Sequence, residues 1–208
     1  QNDRMCYIIY VKTKGENMID LQTLTNKWYT IEELTEVFGT QKILSSKKVQ
    51  YHALKSIGHG DLWHNGRHNH IWIQDLINCV SNGLITIGGQ GKRQPDLYGT
   101  VNGVKVRIEH KGFIKEESIR VSASKFFAAN GGMTQLAECK THKERVKLIL
   151  GHYTDDYYLL TKTNGEAMKK VKDVNEILVY LIKTTDMVPL LKDGRSVPHS
   201  ILDLSEAK

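Results

Sequence analysis

Apolar residues along this 208-residue chain come in short clusters whose spacing changes from segment to segment. Met5 to Lys12 is rich in β-formers and predicts a strand, whereas Thr30 with Glu33 forms a capping-box pattern ahead of Leu34, Val37 and Phe38 and predicts a helix that Gly39 ends. Residues Lys42 to Ile57 place Ile43, Leu44, Val49, Leu54 and Ile57 among Lys42, Lys47, Lys48 and Lys55, the pattern of a helix with a basic outer face. Asn69 is placed to cap a further helix with Ile73, Leu76, Ile77 and Val80 on one face and Gly83 at its stop. Leu84 to Ile87 then resumes β character, and the run Gly88-Gly89-Gln90-Gly91 predicts a flexible connection. Further on, the pattern predicts a helix over Met133 to Arg145, strands over Val146 to Leu150 and Tyr157 to Thr161 joined around Thr154-Asp155-Asp156, and a helix over Val174 to Lys183. From Thr184 onward, Pro189, Gly194 and Pro198 predict an irregular tail.

The sharpest local signal is Asn102-Gly103, since both residues tolerate the positive φ that a type I′ turn requires. Pairing Val101 with Val104 and counting outward sets Thr100 opposite Lys105, Tyr98 opposite Arg107 and Asp96 opposite Glu109, with Cβ atoms about 5 Å apart in such pairs. Facing carboxylates destabilise a sheet unless a cation offsets them. Strand alternation puts Lys111 on the face of Glu109, and sends Val104, Val106 and Ile108 toward a core.

Composition narrows the class. With 40% hydrophobic and 25% charged residues the chain has a globular balance, and no apolar run approaches the roughly 20 residues needed to span a bilayer, so no membrane partner is expected. Three cysteines in no metal-like spacing and the lack of a secretory leader pattern point to a cytoplasmic address. Lysine and arginine exceed aspartate and glutamate by 29 to 23, a net charge of +6, which favours an anionic partner. His59, His64, His68 and His70 fall in a glycine- and asparagine-rich loop, and their spacing matches no standard zinc site.

Asp96, Glu109 and Lys111 carry the candidate chemistry. Two hard oxygen donors this close suit Mg²⁺, with Mn²⁺ able to substitute, and the backbone carbonyl of His110 is a further candidate ligand. An ion held there stabilises charge on a phosphate and lowers the pKa of a bound water, while Lys111 polarises the attacking water. The reaction implied is phosphodiester hydrolysis. Lys92, Arg93, Lys105 and Arg107 are the candidate phosphate contacts around it.

On Pro95-Asp96 and Glu109-His110-Lys111 the chain resembles the PD-(D/E)xK nuclease superfamily, and beyond that motif it is similar to small type II restriction endonucleases. The resemblance covers roughly Ile71 to the C-terminus. It implies an α/β, restriction-endonuclease-like mixed β-sheet flanked by helices. It also implies a homodimer that cuts double-stranded DNA at a short palindromic site, with 69–165 as the catalytic core and 184–208 as a C-terminal recognition segment. Chain length predicts a single nuclease domain over 1–208, in which 1–58, ahead of the resemblance, is an N-terminal helical accessory or dimerisation region. By position, Ser122, Ser124, Lys125, Asn130, Arg195 and Ser196 become candidate DNA contacts. The chain departs from the pattern at Lys125-Phe126-Phe127, which stands in place of a histidine run, and at Arg93, in place of an additional acidic residue, so no recognition sequence carries over. A structure-specific nuclease such as a junction resolvase, and a non-catalytic DNA-binding module, are the alternative readings.

Overall fold

The Asn102-Gly103 turn and the apolar strands behind it organise the molecule. In the computed structural model, which describes residues 20–40, 67–89, 94–114, 118–122, 132–163, 177–193 and 199–203, both turn residues have positive φ, 49° at Asn102 and 76° at Gly103. They join β3 (Leu97–Val101) to β4 (Val104–Ile114) in the expected register, from Val101 with Val104 to Leu97 with Ile108.

This hairpin lies in a six-stranded mixed sheet of order β1-β7-β6-β4-β3-β2, where β1 is Trp28–Thr30, β2 Thr86–Ile87, β6 Tyr157–Thr163 and β7 Leu178–Lys183. Pairing is parallel between β4 and β6 and antiparallel elsewhere. The described elements are therefore α/β. The helices are α1 (Ile31–Val37), α2 (Arg67–Val80), α3 (Gly132–Glu138), α4 (His142–His152) and α5 (Thr184–Met187). None of the described helices is long and apolar enough to cross a membrane.

Strand alternation divides the core in two. Leu97, Ile108, Tyr157, Leu159, Val179 and Leu181 pack on one face with Ile31 and Leu34 of α1 and Ile73, Leu76, Ile77 and Val80 of α2. Tyr158, Leu160, Tyr180 and Ile182 pack on the other with Leu136 of α3, Ile149 of α4, and Met187, Val188 and Leu191. Leu21 and Leu24, in a short 3₁₀ turn, and Ile177 join the first cluster, so residues far from the hairpin in sequence on both sides pack against it.

Several expected elements are corrected. Leu178–Lys183 is a strand rather than the end of a helix, because four consecutive positions, Val179 to Ile182, are buried between the two clusters. A strand covered on both faces shows a continuous apolar run with no alternation. Val146 to Leu150 is helical, inside α4, whose start is set by a second capping box: Glu144 N–H donates to Thr141 Oγ1, and Thr141 N–H to Glu144 Oε2. The helix expected over Met133 to Arg145 is two helices broken at residues 139–141. Among the described residues the tail expected to be irregular is ordered into elements: α5 leads through a 3₁₀ turn, with Pro189 inside it, to β8 (Leu191–Asp193), and β9 is His199–Asp203; Gly194 and Pro198 lie outside the described residues. Val104, expected to face the core, is 64% exposed at the hairpin tip, while Val106 and Ile108 do pack inward. Asn69 lies within α2 rather than before it, and His68 and His70, expected in a loop, are in the first turn of the same helix. The expected capping box at Thr30 and Glu33 is present, as is the positive φ at Gly39 and Gly83.

A second sheet of order β5-β9-β8 pairs β5 (Ser118–Ser122) antiparallel with β9, Ser118 with Asp203 and Ser122 with His199. The segments following Lys111 and near the C-terminus, both expected to approach DNA, are thus strand neighbours. The strand expected over Met5 to Lys12, the helix over Lys42 to Ile57 and the histidines at 59 and 64 lie outside the described residues.

A candidate active site on the β3–β4 hairpin

One further step along the β3–β4 register from the Leu97–Ile108 pair brings Asp96 opposite Glu109. The two strands stop pairing there because position 95 is a proline, which has no N–H for a ladder. Asp96 takes over with its side chain: its Oδ2 accepts from the backbone N–H of His110 at 3.0 Å. A residue's N–H and C=O point to the same side of an extended strand, so the His110 carbonyl is also directed to the Asp96 edge. From behind, Gly88 N–H donates to the Asp96 carbonyl at 2.8 Å. This is a close approach, since a Cβ on Gly88 would come within 2.0 Å of the Pro95 carbonyl oxygen. The start of the glycine run, expected to be a loose connection, is a fitted contact against the Pro-Asp step. Lys92 and Arg93 lie outside the described residues.

Glu109 and Lys111 project from the same face of β4, and Lys111 Nζ lies 2.7 Å from Glu109 Oε1. Glu109 is only 3% exposed. Lys105 and Arg107 occupy the same face by alternation, making β4 a strip of Lys, Arg, Glu and Lys. Lys105 Nζ sits 3.7 Å from the centre of the Tyr98 ring, a cation–π contact. Arg107, expected as a phosphate contact, has its Nε 3.2 Å from Asp155 Oδ1, and its backbone N–H donates to Asp156 Oδ2 at 2.8 Å.

Asp155 is the residue that the sequence pattern missed. It closes the loop before β6, is buried, and lies near enough to Glu109 for their charges to interact. Burial first, and then the Glu109 charge, hold its carboxyl above the usual aspartate range, while the Arg107 guanidinium pulls it partly back. Thr184 anchors this loop, its N–H donating to the Asp156 carbonyl and its hydroxyl to that of Asp155. Across the parallel pair, Tyr158 stands beside Glu109. Burial, followed by the charges of Glu109, Asp155 and Asp96, raises its phenol well above the usual tyrosine value, so it stays neutral. All three carboxylates therefore act on one phenol. The sequence signal for Asp155 was Thr-Asp-Asp immediately before an apolar strand, which reads equally well as an ordinary polar turn.

The His110 imidazole points away from this cluster. It is fully buried on the opposite face of the sheet, with Nε2 2.8 Å from Thr161 Oγ1 and Nδ1 3.5 Å from Gln74 Nε2. Any part that His110 plays as a metal ligand must run through its backbone. Ser122 lies at the end of β5, paired with His199, while Ser124, Lys125, Asn130, Arg195 and Ser196 lie outside the described residues. Among the described residues, no three histidine, cysteine, aspartate or glutamate side chains converge as a ready metal cage. The oxygen donors of the hairpin edge are Asp96 and Glu109, opposite each other in register, with Lys111 beside Glu109. Comparison with known proteins returned no match: no protein-family model, no curated protein and no solved structure is similar enough to this chain to assign it to a family.

Proposed function

We propose that this chain is a Mg²⁺-dependent DNA endonuclease with a restriction-endonuclease-like fold, acting as a homodimer on double-stranded DNA at a short palindromic site. The observation that carries the reading is the hairpin edge itself. Asp96 faces the buried Glu109 across the strands, and Lys111 stands 2.7 Å from the Glu109 carboxylate on the same face. The donor set fits a hard divalent cation: Asp96, Glu109 and the carbonyl of His110 are all oxygen donors, and such ions keep several waters and share a phosphate rather than filling a protein cage. When bound, Mg²⁺, or Mn²⁺ in its place, supplies Lewis-acid stabilisation of phosphate charge and a more acidic water.

The protein's own groups supply the rest. The Lys111 ammonium orients a water for attack and offsets charge developing on the phosphate. Lys105 lies on the same strip of β4, where the DNA backbone would pass, while Arg107 is held by Asp155 and serves chiefly to fix the loop beside Glu109. The antiparallel β3–β4 hairpin, continued by a parallel strand and covered by α2 and α4 on opposite faces, supports the fold assignment. The pairing of β5 with β9, in the two segments expected to touch bases, supports a recognition surface built from both.

The test is incubation of supercoiled plasmid and long linear DNA with the protein, in Mg²⁺ and in EDTA, with end-sequencing of the products. Discrete metal-dependent fragments ending in one palindrome are expected, and Asp96→Ala should bind DNA but not cut it. Cutting confined to branched DNA would move the assignment to a structure-specific nuclease. Metal-independent binding without nicking would leave a DNA-binding module.

A further inference from the structure

We infer that His110, through Thr161 and Gln74, is the positioning residue of this site, holding Glu109 and Lys111 from the far side of the sheet; the inference rests on the nuclease reading. The residue lies between the two active side chains, which leave β4 on the opposite face. Its ring is fully buried, as is Thr161, and Gln74 is nearly so. The Gln74 amide nitrogen can only donate, so Nδ1 accepts from it and Nε2 carries the proton, donated to Thr161 Oγ1 at 2.8 Å. One imidazole thereby joins β4 to β6 and to α2.

The same residue also reaches the site directly. Its backbone N–H holds Asp96 Oδ2 at 3.0 Å, so a shift of the His110 peptide moves Asp96 as well as its two neighbours. An aliphatic residue would pack in this position, but it would leave the Thr161 hydroxyl and the Gln74 amide without their shared partner in an apolar layer. A polar network buried under a catalytic strand restricts that strand to one placement. Supporting partners of this kind set metal affinity and turnover without touching the ion.

The experiment compares wild type with Thr161→Val, His110→Leu and His110→Gln, the last retaining an amide donor near the Nε2 position. Thermal unfolding reports folding, electron paramagnetic resonance with Mn²⁺ alone reports metal affinity, and single-turnover cleavage separates rate from DNA binding measured in Ca²⁺. Thr161→Val should stay folded at 25 °C and bind DNA within about twofold of wild type, yet lose about tenfold to a hundredfold in Mn²⁺ affinity and cleavage rate. His110→Leu should lose at least as much, and His110→Gln should recover most of it. Folded Thr161→Val and His110→Leu proteins with undiminished Mn²⁺ affinity and cleavage rate would overturn the positioning role. A wild-type protein that neither binds Mn²⁺ nor cuts DNA would instead overturn the nuclease reading, and this inference with it.

Discussion

A carboxylate as buried as Glu109 is costly to ionise, and its Lys111 partner at 2.7 Å offsets that cost only while both are present. Removing one member of a buried pair costs roughly 3 to 5 kcal/mol, and because the Lys111 side chain is 21% exposed, Lys111→Met should cost less, about 2 kcal/mol. Urea unfolding measures this. Adding Glu109→Gln should restore most of the loss, and a Lys111→Met protein with the wild-type midpoint would show that the pair contributes nothing to stability. Asp155 makes the opposite kind of contribution. Its native carboxyl titrates above its ordinary value of 3.8, so the folded protein holds that proton more tightly than the unfolded chain does. The stability it adds is complete below about 3.8 and is lost as pH rises through the higher native value. The stability of wild type minus that of Asp155→Asn should therefore fall as pH rises above about 3.8, and a flat or rising difference in paired urea titrations would contradict the assignment. Asp96, Glu109 and Lys111 were legible in the sequence because a two-residue turn sets their register. Arg107 and Asp155 were not, since they meet through a parallel strand pair whose register no local turn defines.

At the scale of elements, the same distinction between local and distant causes decides what could be read. The hairpin, the Thr30 capping box and the stops at Gly39 and Gly83 depend on residues a few positions apart, and all are present. The strand β7 looked helical because its burial on both faces is imposed by α1 and α2 on one side and α3 and α4 on the other. The helix α4 looked like a strand because Val146, Leu148, Ile149 and Leu150 outweighed its capping signal at Thr141 and Glu144. Gly88 shows how a loop element conditions the site. Its φ is not in the left-handed region, so alanine is allowed conformationally and the obstacle is the Pro95 carbonyl 2.0 Å from the added Cβ. That oxygen belongs to the peptide leading into Asp96 and cannot rotate away as a side-chain tip would. Gly88→Ala should cost about 1 to 3 kcal/mol as an overpacked position. Because the displaced backbone carries Asp96, cleavage should fall further than the loss of folded protein explains. Cleavage measured per folded molecule checks this, and an unchanged rate would mean that strand β2 yields instead of Asp96.

Across the whole molecule, Asp96, Glu109 and Asp155 gather negative charge at the junction of β3, β4 and the loop before β6, in a chain whose net charge is +6. Lys111 and Arg107 neutralise part of it from within. On the proposed reading a divalent cation would neutralise the rest, and only where the strands are paired, because the unfolded chain does not hold Asp96 opposite Glu109. Binding restricted to the folded state raises stability by RT ln(1 + [L]/Kd), about 2.7 kcal/mol when the free ion is a hundredfold above Kd. Mg²⁺, or Ca²⁺ where cleavage is to be avoided, should therefore raise the unfolding midpoint in a concentration-dependent way, and EDTA should reverse it. Asp96→Asn and Glu109→Gln should each abolish the response, whereas Asp156→Asn, which alters the loop without removing a carboxylate from the hairpin edge, should keep it. A midpoint that ignores divalent cations in the wild-type protein, or one that rises equally in Asp96→Asn, would remove the metal from this site. In that case the Lys111–Glu109 pair would be a structural tie between neighbouring positions of β4, and the basic strip would remain as a surface for an anionic partner.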